Sequence, residues 1–276
     1  MTHSQIPLAG VMGDPVCFSK SPRLHGHWLS SYDIPGHYVP IHVTSENLED
    51  VLRAMPRMGF VGANVTAPHK EAVLRLAHNV TDRATMIGAA NTLIFGEDGR
   101  IHADNTDGYG FIENLRQGAP DWDPATDALV LGAGGAARAV LAALIDAGTT
   151  RIFLSNRTRI RAETLRETFG AKVQIVDWEK AAGIVDRVGL LVNTTSLGMT
   201  GKPELRFSLA GVRPETIVTD IVYSPLQTPL LQDAQARGCR TVDGLGMLLH
   251  QAVPGFERWF GVRPQVTPEL RDLILK

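Results

Sequence analysis

Residues 127–158 read D-A-L-V-L-G-A-G-G-A-A-R-A-V-L-A-A-L-I-D-A-G-T-T-R-I-F-L-S-N-R-T. Ala128–Leu131 is a short apolar run, long enough for a strand buried on both faces. Gly132, Gly134 and Ala137 then fit the spacing G-x-G-x-x-G/A, whose last position accepts alanine. The first glycine allows a tight turn, the second lets a pyrophosphate approach the backbone, and the small third residue lets helix and strand pack closely. Residues 135–147 follow as a helix rich in Ala and Leu, its N-terminal dipole directed at the phosphates. Gly148 ends that helix, and Arg151–Ser155 reads as the next strand. The spacing alone is weak. Strand, turn, helix and strand in this order make it a dinucleotide site, with Gly132, Ala133, Gly134, Gly135 and Ala136 as the phosphate cradle. Residues 128–145 are apolar enough to imitate a membrane span, but Arg138, the glycines before the helix and the flanking acids argue against one.

The end of the second strand says which dinucleotide. An NAD site places Asp or Glu there, about 20 residues past the glycines, to bind the ribose 2′-hydroxyl. Here the chain has Ser155-Asn156-Arg157-Thr158, with Arg159 and Arg161 close behind, and no acid. A guanidinium suits a 2′-phosphate because its planar fork donates two hydrogen bonds. Basic residues are disfavoured at a helix N-terminus, so three arginines there point to an anion. Asn156, Arg157, Thr158, Arg159 and Arg161 are therefore cofactor candidates, and NADP is the expected cofactor.

The 276 residues suggest about two domains. With 44% hydrophobic and 20% charged residues the chain reads as soluble and globular, and a net charge of −2 gives no reason to expect nucleic acid or an anionic membrane as partner. Two cysteines, Cys17 and Cys239, make neither a disulfide framework nor a metal set, and suit a cytoplasmic protein. The start M-T-H-S-Q-I-P-L lacks the basic region and long apolar core of a signal peptide.

Ahead of the dinucleotide stretch, Ser21 followed by Pro22 reads as a helix start, serine as N-cap and proline at the first helical position. Ser19 lies outside that role, and two hydroxyls at a helix start could hold a carboxylate. Phe60–Val65 reads as a strand running into Asn64-Val65-Thr66-Ala67-Pro68-His69-Lys70, with Thr66 as N-cap and Lys70 in or near the first turn. The dipole disfavours a cation there, so a purely structural lysine is slightly odd, although one lysine read alone is more simply a solvated surface charge. Glu97-Asp98-Gly99 reads as a hairpin turn, and Asp104 and Asp107 as caps of a helix from about Tyr109 to Leu115. Beyond Thr158 further short strands continue a doubly wound sheet. Asn193–Met199 and Asp220–Pro225 follow the carboxyl ends of two of them, where such sheets bind ligands. Thr228 and Thr267, each before a proline, cap two later helices.

These segments together resemble the shikimate dehydrogenase family. The matching runs are Ser19-Lys20-Ser21-Pro22, Asn64-Val65-Thr66-Ala67-Pro68-His69-Lys70, Ala90-Asn91-Thr92, Asn105-Thr106-Asp107-Gly108, Gly132-Ala133-Gly134-Gly135-Ala136, Asn156-Arg157-Thr158, Tyr223-Ser224-Pro225 and Gly246-Met247-Leu248-Leu249-His250-Gln251. Each is weak alone; in this order along almost the whole chain they are specific. The resemblance implies NADPH-dependent reduction of 3-dehydroshikimate to shikimate, on the way to aromatic amino acids. It implies that Lys70 and Asp107 form the catalytic pair. Ser19 and Ser21 would hold the substrate carboxylate with Tyr223 near it, and Thr66, Asn91, Asp107 and Gln251 the ring hydroxyls. Ile221 and Gly244 would lie along the nicotinamide. Asp82 matches a position sometimes credited to cofactor contact, and also reads as an ordinary helix-surface acid. Gly26 departs from the Asn or Gln that many members carry there.

The fold expected is α/β with two domains: a doubly wound Rossmann NADP-binding domain, residues 118–242, inserted into an α/β substrate-binding domain, residues 1–117 and 243–276. Gln251 must meet Ser19 and Lys70 although a whole dinucleotide unit lies between them in the chain, and hinge closure over substrate is expected. No metal is expected, and a homodimer is left open. The nearest rival is a quinate or quinate/shikimate dehydrogenase with relaxed substrate or cofactor use. A non-catalytic NADP-binding regulatory protein would be expected to lack Lys70 or Asp107. A Rossmann methyltransferase would normally want an acid after the second strand.

Overall fold

The computed structural model describes residues 6–276. In chain order the first elements are β1 (Leu8–Gly13), α1 (Ser21–Ser31), β2 (His37–His42), α2 (Leu48–Ala54), β3 (Phe60–Val65), α3 (Ala72–Leu76), β4 (Asn79–Val80), α4 (Asp82–Ile87), β5 (Thr92–Phe95) and β6 (Ile101–Asp104). They form a sheet in the order β2-β1-β3-β5-β6-β4. Its first three strands are parallel, while β5 runs antiparallel to β3 and β6. Glu97-Asp98-Gly99 turns β5 into β6, with Gly99 at φ +76°.

The second set comprises α5 (Asp107–Gly118), β7 (Ala128–Leu131), α6 (Gly135–Ala147), β8 (Ile152–Ser155), α7 (Arg159–Phe169), β9 (Val173–Ile175), a 3₁₀ segment (Trp178–Arg187), β10 (Leu190–Asn193), β11 (Ile217–Asp220), α8 (Pro229–Ala236), β12 (Arg240–Val242) and α9 (Leu245–His250). Its sheet is parallel throughout, in the order β12-β11-β10-β7-β8-β9. This is the doubly wound dinucleotide-binding order, which reverses between β7 and β10. Period-two alternation sends Ala128 and Val130 into one buried cluster and Leu129 and Leu131 into another, so helices cover both faces. That is why β7 reads as an unbroken apolar run. Two helices end the chain, α10 (Val253–Phe260) and α11 (Pro268–Leu275).

The chain divides into two compact units, one up to Thr106 together with Gln251–Lys276, the other Asp107–His250. The division falls outside the expected 118–242 because α5 and α9 pack with the dinucleotide-type unit. A Cβ on Gly108 would lie 2.9 Å from the Ala139 carbonyl oxygen of α6, and one on Gly118 would lie 2.8 Å from a Val242 methyl. Asn114 Nδ2 also donates to the Asp243 carbonyl at 2.7 Å. In the first unit, the C-terminal segment is held to the N-terminal one. Lys20 Nζ donates to the Ile274 carbonyl at 2.5 Å, and Trp28 Nε1 to the Gln265 carbonyl at 3.1 Å. Among the described residues no helix is long and apolar enough to cross a membrane, and no cluster of His, Cys, Asp or Glu could hold a metal ion.

Candidate active site

The glycine turn is built as its spacing implies. Gly132 sits at φ +107°, a left-handed conformation that disfavours any side chain. A Cβ there would also lie 2.7 Å from Thr194 Oγ1. Gly134 is the N-cap of α6. A Cβ on Gly134 or Gly135 would meet nothing within 4 Å, which leaves the backbone open to a ligand. Ala137 is fully buried, where its small size lets α6 approach β7.

A cavity of about 250 Å³ opens at this turn, where the strand order reverses. Gly132, Ala133, Gly134, Asn156, Arg157 and Arg161 line it from the glycine turn and the end of β8. Trp178 and Thr194–Leu197 complete the lining. No carboxylate lines it. These residues fit a dinucleotide carrying a 2′-phosphate: an open backbone cradle, two guanidinium groups and no competing acid. Asn156 Nδ2 donates to the Thr158 carbonyl at 2.9 Å, closing the turn into α7, and Thr158 is the N-cap of that helix. Arg159 does not line the cavity. Its guanidinium pairs with Glu163 at 2.8 Å and with Asp177. Trp178 carried no local signal in the sequence, being an aromatic on a 3₁₀ segment 20 residues past Thr158.

Ile221 and Gly244 are brought together in the same unit. A Cβ on Gly244 would lie 2.2 Å from the Ile221 carbonyl oxygen, so only glycine permits this approach. Below Ile221 the buried Asp220 accepts from the Val222 amide at 3.0 Å, Asn193 Nδ2 at 2.9 Å and Thr228 Oγ1 at 2.8 Å. Burial raises its carboxyl above the usual range, against the pull of these donors. Tyr223 follows on the surface, 36% exposed.

In the other unit, Asn91 and Gln251 meet although they are 160 positions apart, Asn91 Nδ2 donating to Gln251 Oε1 at 3.2 Å. Asn91 Oδ1 accepts from the Thr106 amide at 2.9 Å, Thr106 Oγ1 at 3.1 Å and Thr92 Oγ1 at 2.9 Å. Asp107 is the next residue after Thr106 and the first of α5. Ser19 Oγ accepts from the Ser21 amide at 3.2 Å.

Two expected caps are absent. Ser21 is the first residue of α1 rather than its N-cap, which is Lys20. Thr66 does not start a helix: residues 67–71 form turns, and the five-residue α3 begins at Ala72 with Glu71 as N-cap. Lys70 therefore precedes that helix. It is positioned by neighbours whose contribution no local pattern announces. The buried His69 bonds the Val43 carbonyl through Nε2 at 2.6 Å, the His69 amide donates to the Thr66 carbonyl at 3.0 Å, and the Ala90 amide donates to the Lys70 carbonyl at 2.8 Å. Thr66 itself is partly buried, its amide donating to the Met12 carbonyl at 2.9 Å. Asp82 is exposed at the start of α4, which Thr81 caps.

Three family descriptions match the chain: the shikimate dehydrogenase substrate binding domain over residues 11–93, shikimate / quinate 5-dehydrogenase over 119–200, and the shikimate 5′-dehydrogenase C-terminal domain over 244–268. The chain is 62% identical over 276 residues to a shikimate dehydrogenase (NADP(+)) of Roseobacter denitrificans, covering 100% of both. It is 63% identical to that of Paracoccus denitrificans, covering 99% of this chain and 98% of the relative. Among solved structures, shikimate 5-dehydrogenase of Thermus thermophilus in complex with NADP(H) and shikimate aligns with a TM-score of 0.85 at 36% identity, covering 98% of each chain. Quinate dehydrogenase of Corynebacterium glutamicum in complex with NAD aligns with a TM-score of 0.89 at 30% identity, covering 98% of this chain and 99% of that one. With full-length relatives at this identity and all three families matched in order along it, the chain belongs to the shikimate dehydrogenase family.

Proposed function

We propose that this protein is an NADP-dependent shikimate dehydrogenase, interconverting 3-dehydroshikimate and shikimate in aromatic amino-acid synthesis. The observation that carries the cofactor reading is a phosphate cradle whose cavity holds Asn156, Arg157 and Arg161 and no carboxylate. Bound there, the cofactor supplies the hydride in one direction and takes it up in the other. Ile221 and Gly244 would flank the nicotinamide when the cofactor is bound. Ser19 and Ser21 hold the substrate carboxylate with Tyr223, and Thr66, Asn91, Asp107 and Gln251 bind the ring hydroxyls. A site built of so many fixed polar partners rejects analogues lacking a hydroxyl, because its own groups are then left unpaired. Lys70 gives a proton to the C3 oxygen as charge develops on it, and takes it back in the oxidation direction. Asp107 accepts a hydrogen bond from the reacting hydroxyl. The dinucleotide-binding unit is proposed to interrupt the substrate-binding unit in the chain.

The test is oxidation of shikimate and of quinate by the purified protein, each with NADP and with NAD, followed at the nicotinamide absorbance. Shikimate with NADP should be the best pair by kcat/KM; preference for quinate with NAD would reverse the reading. Arg157→Ala isolates the cofactor part. Loss of a charge-assisted contact costs about 1.5–3 kcal/mol, so KM for NADP should rise about ten- to a hundredfold. KM for NAD should hardly change. Equal loss with both cofactors would remove Arg157 from the phosphate site.

A further inference from the structure

Asp104 ends β6, and it is 1% exposed. Its carboxylate takes a two-pronged bond from Arg83 of α4, Nε to Oδ1 at 2.6 Å and an Nη to Oδ2 at 2.5 Å. Thr81 Oγ1 and the Asn105 amide donate to the same Oδ1 at 2.8 and 2.7 Å. Arg258 of α10 approaches Oδ2 at 3.5 Å. The buried carboxylate is thus gripped by α4 with its cap and by α10, two elements distant in sequence, and both arginine side chains keep 46% exposure. Burial alone would raise the carboxyl, but bonds from Arg83, Thr81 and the Asn105 amide outweigh it and lower it overall.

The backbone of Asp104 also touches the residues proposed to bind substrate. Its carbonyl accepts from the Asn91 amide at 3.0 Å, and its carboxylate holds the Asn105 amide, one residue before Thr106. Thr106 in turn gives its amide to Asn91 Oδ1 at 2.9 Å. A backbone N–H can only donate, so the Asn91 oxygen must face Thr106 and its NH₂ must face Gln251. Asn91 is therefore clamped at its backbone by the Asp104 carbonyl and at its side chain by the segment that the Asp104 carboxylate fixes. Asp107 follows directly on that segment.

We propose that Asp104, held by Arg83 and Arg258, is a positioning residue for the substrate-binding pair Asn91–Gln251 and for the approach to Asp107. This rests on the shikimate reading of that site. Asp104→Asn can keep the acceptor for the Asn105 amide while taking the charge from the Arg83 fork. Arg83→Gln removes the fork from its half-exposed side, and Arg83→Lys keeps the charge without the two-pronged geometry.

The experiment is titration calorimetry of shikimate on the full chain without cofactor, together with steady-state kinetics and melting temperature for all three variants. Asp104→Asn should raise the shikimate Kd and KM by about ten- to fiftyfold, and Arg83→Gln by about three- to tenfold. KM for NADP should stay within about twofold. Arg83→Lys should recover part of the Arg83→Gln loss. A lowered melting temperature with shikimate Kd unchanged in both Asp104→Asn and Arg83→Gln would make this a structural ion pair and overturn the proposal. If Asp104→Asn does not fold, the Arg83→Gln and Arg83→Lys pair decides alone. A wild-type protein that binds no shikimate defeats the functional reading and this inference with it; a wild type that binds while the variants bind equally well defeats the inference alone.

Discussion

Lys70→Ala should lower kcat for shikimate oxidation by about 10²–10⁴-fold, on the order of 3–5 kcal/mol, the usual loss when a positioned acid–base group is removed. Shikimate should still bind within a few-fold, because the substrate carboxylate and hydroxyls are assigned to Ser19, Ser21, Asn91 and Gln251. The variant should fold. Lys70 is only partly buried, and its segment is fixed by backbone bonds from Ala90 and His69 that alanine leaves in place. Asp107→Asn should also lower kcat, and should weaken shikimate binding more than Lys70→Ala does, since it removes a charged acceptor from a hydroxyl. Steady-state kinetics separates the cases, with circular dichroism to exclude misfolding. A near-normal kcat in Lys70→Ala with only KM raised would make Lys70 a binding residue, and the proton would then come from Asp107 or water.

What was legible in the sequence was what depends on near neighbours. The turn at Gly132, the stop at Gly148 and the caps at Thr228 and Thr267 are local geometry, and all are present. The parallel sheet was legible because strands buried on both faces must be apolar throughout. The cavity's basic wall at Arg157 and Arg161 follows from three arginines at a helix start, where the dipole makes them costly without an anion. The same reasoning failed for Arg159, because Asp177 lies 18 positions away and no periodic pattern joins them. It failed for Asp104 likewise. An acid just before a helix reads as a cap, but Arg83 and Arg258 reach this one from α4 and α10. Ser21-Pro22 misled by one residue, since proline is tolerated at the second helical position as well as the first. Thr66 misled because turns, rather than a helix, carry the chain to Glu71. For Arg159 and Asp104 the deciding partner was tertiary, and a local signal was read in its absence.

The expected response to acid turns on His25, which nothing in its own stretch of sequence singles out. It is fully buried in α1, stacked on Tyr38 with ring centroids 3.9 Å apart and surrounded by Trp28, Phe256 and Trp259. Neither ring nitrogen makes a hydrogen bond to the described residues. Burial lowers the imidazole from its ordinary 6.5 to about 3, the nearby Asn64 side chain acting in the opposite direction. Between those values the unfolded chain binds this proton and the folded chain does not. The stabilisation is therefore complete above the unfolded value and is lost as pH falls through the window. Each pH unit is worth about 1.36 kcal/mol, so His25 alone should remove on the order of 3 kcal/mol between about pH 6.5 and 4.5, and roughly 5 kcal/mol over the whole window. His25→Phe keeps an aromatic ring against Tyr38 and eliminates two unpaired buried nitrogens, so it should be at least as stable at neutral pH. Its stability should also fall less steeply on acidification. Asp104 is lowered too, and its contribution disappears only below the usual carboxylate range; the raised Asp220 titrates alike in both proteins, so the difference between wild type and His25→Phe above about pH 4.5 isolates the histidine. The loss should reach the substrate side. Tyr38 Oη donates to Asn64 Oδ1 at 2.7 Å, and Asn64 Nδ2 donates to the Asn91 carbonyl at 3.1 Å. Charging the ring beneath Tyr38 thus loosens the support of Asn91. Urea unfolding of wild type and His25→Phe at a series of pH values is the measurement. Parallel stability profiles from about pH 6.5 to 4.5 would mean that His25 takes up its proton in the folded protein as readily as in the unfolded chain.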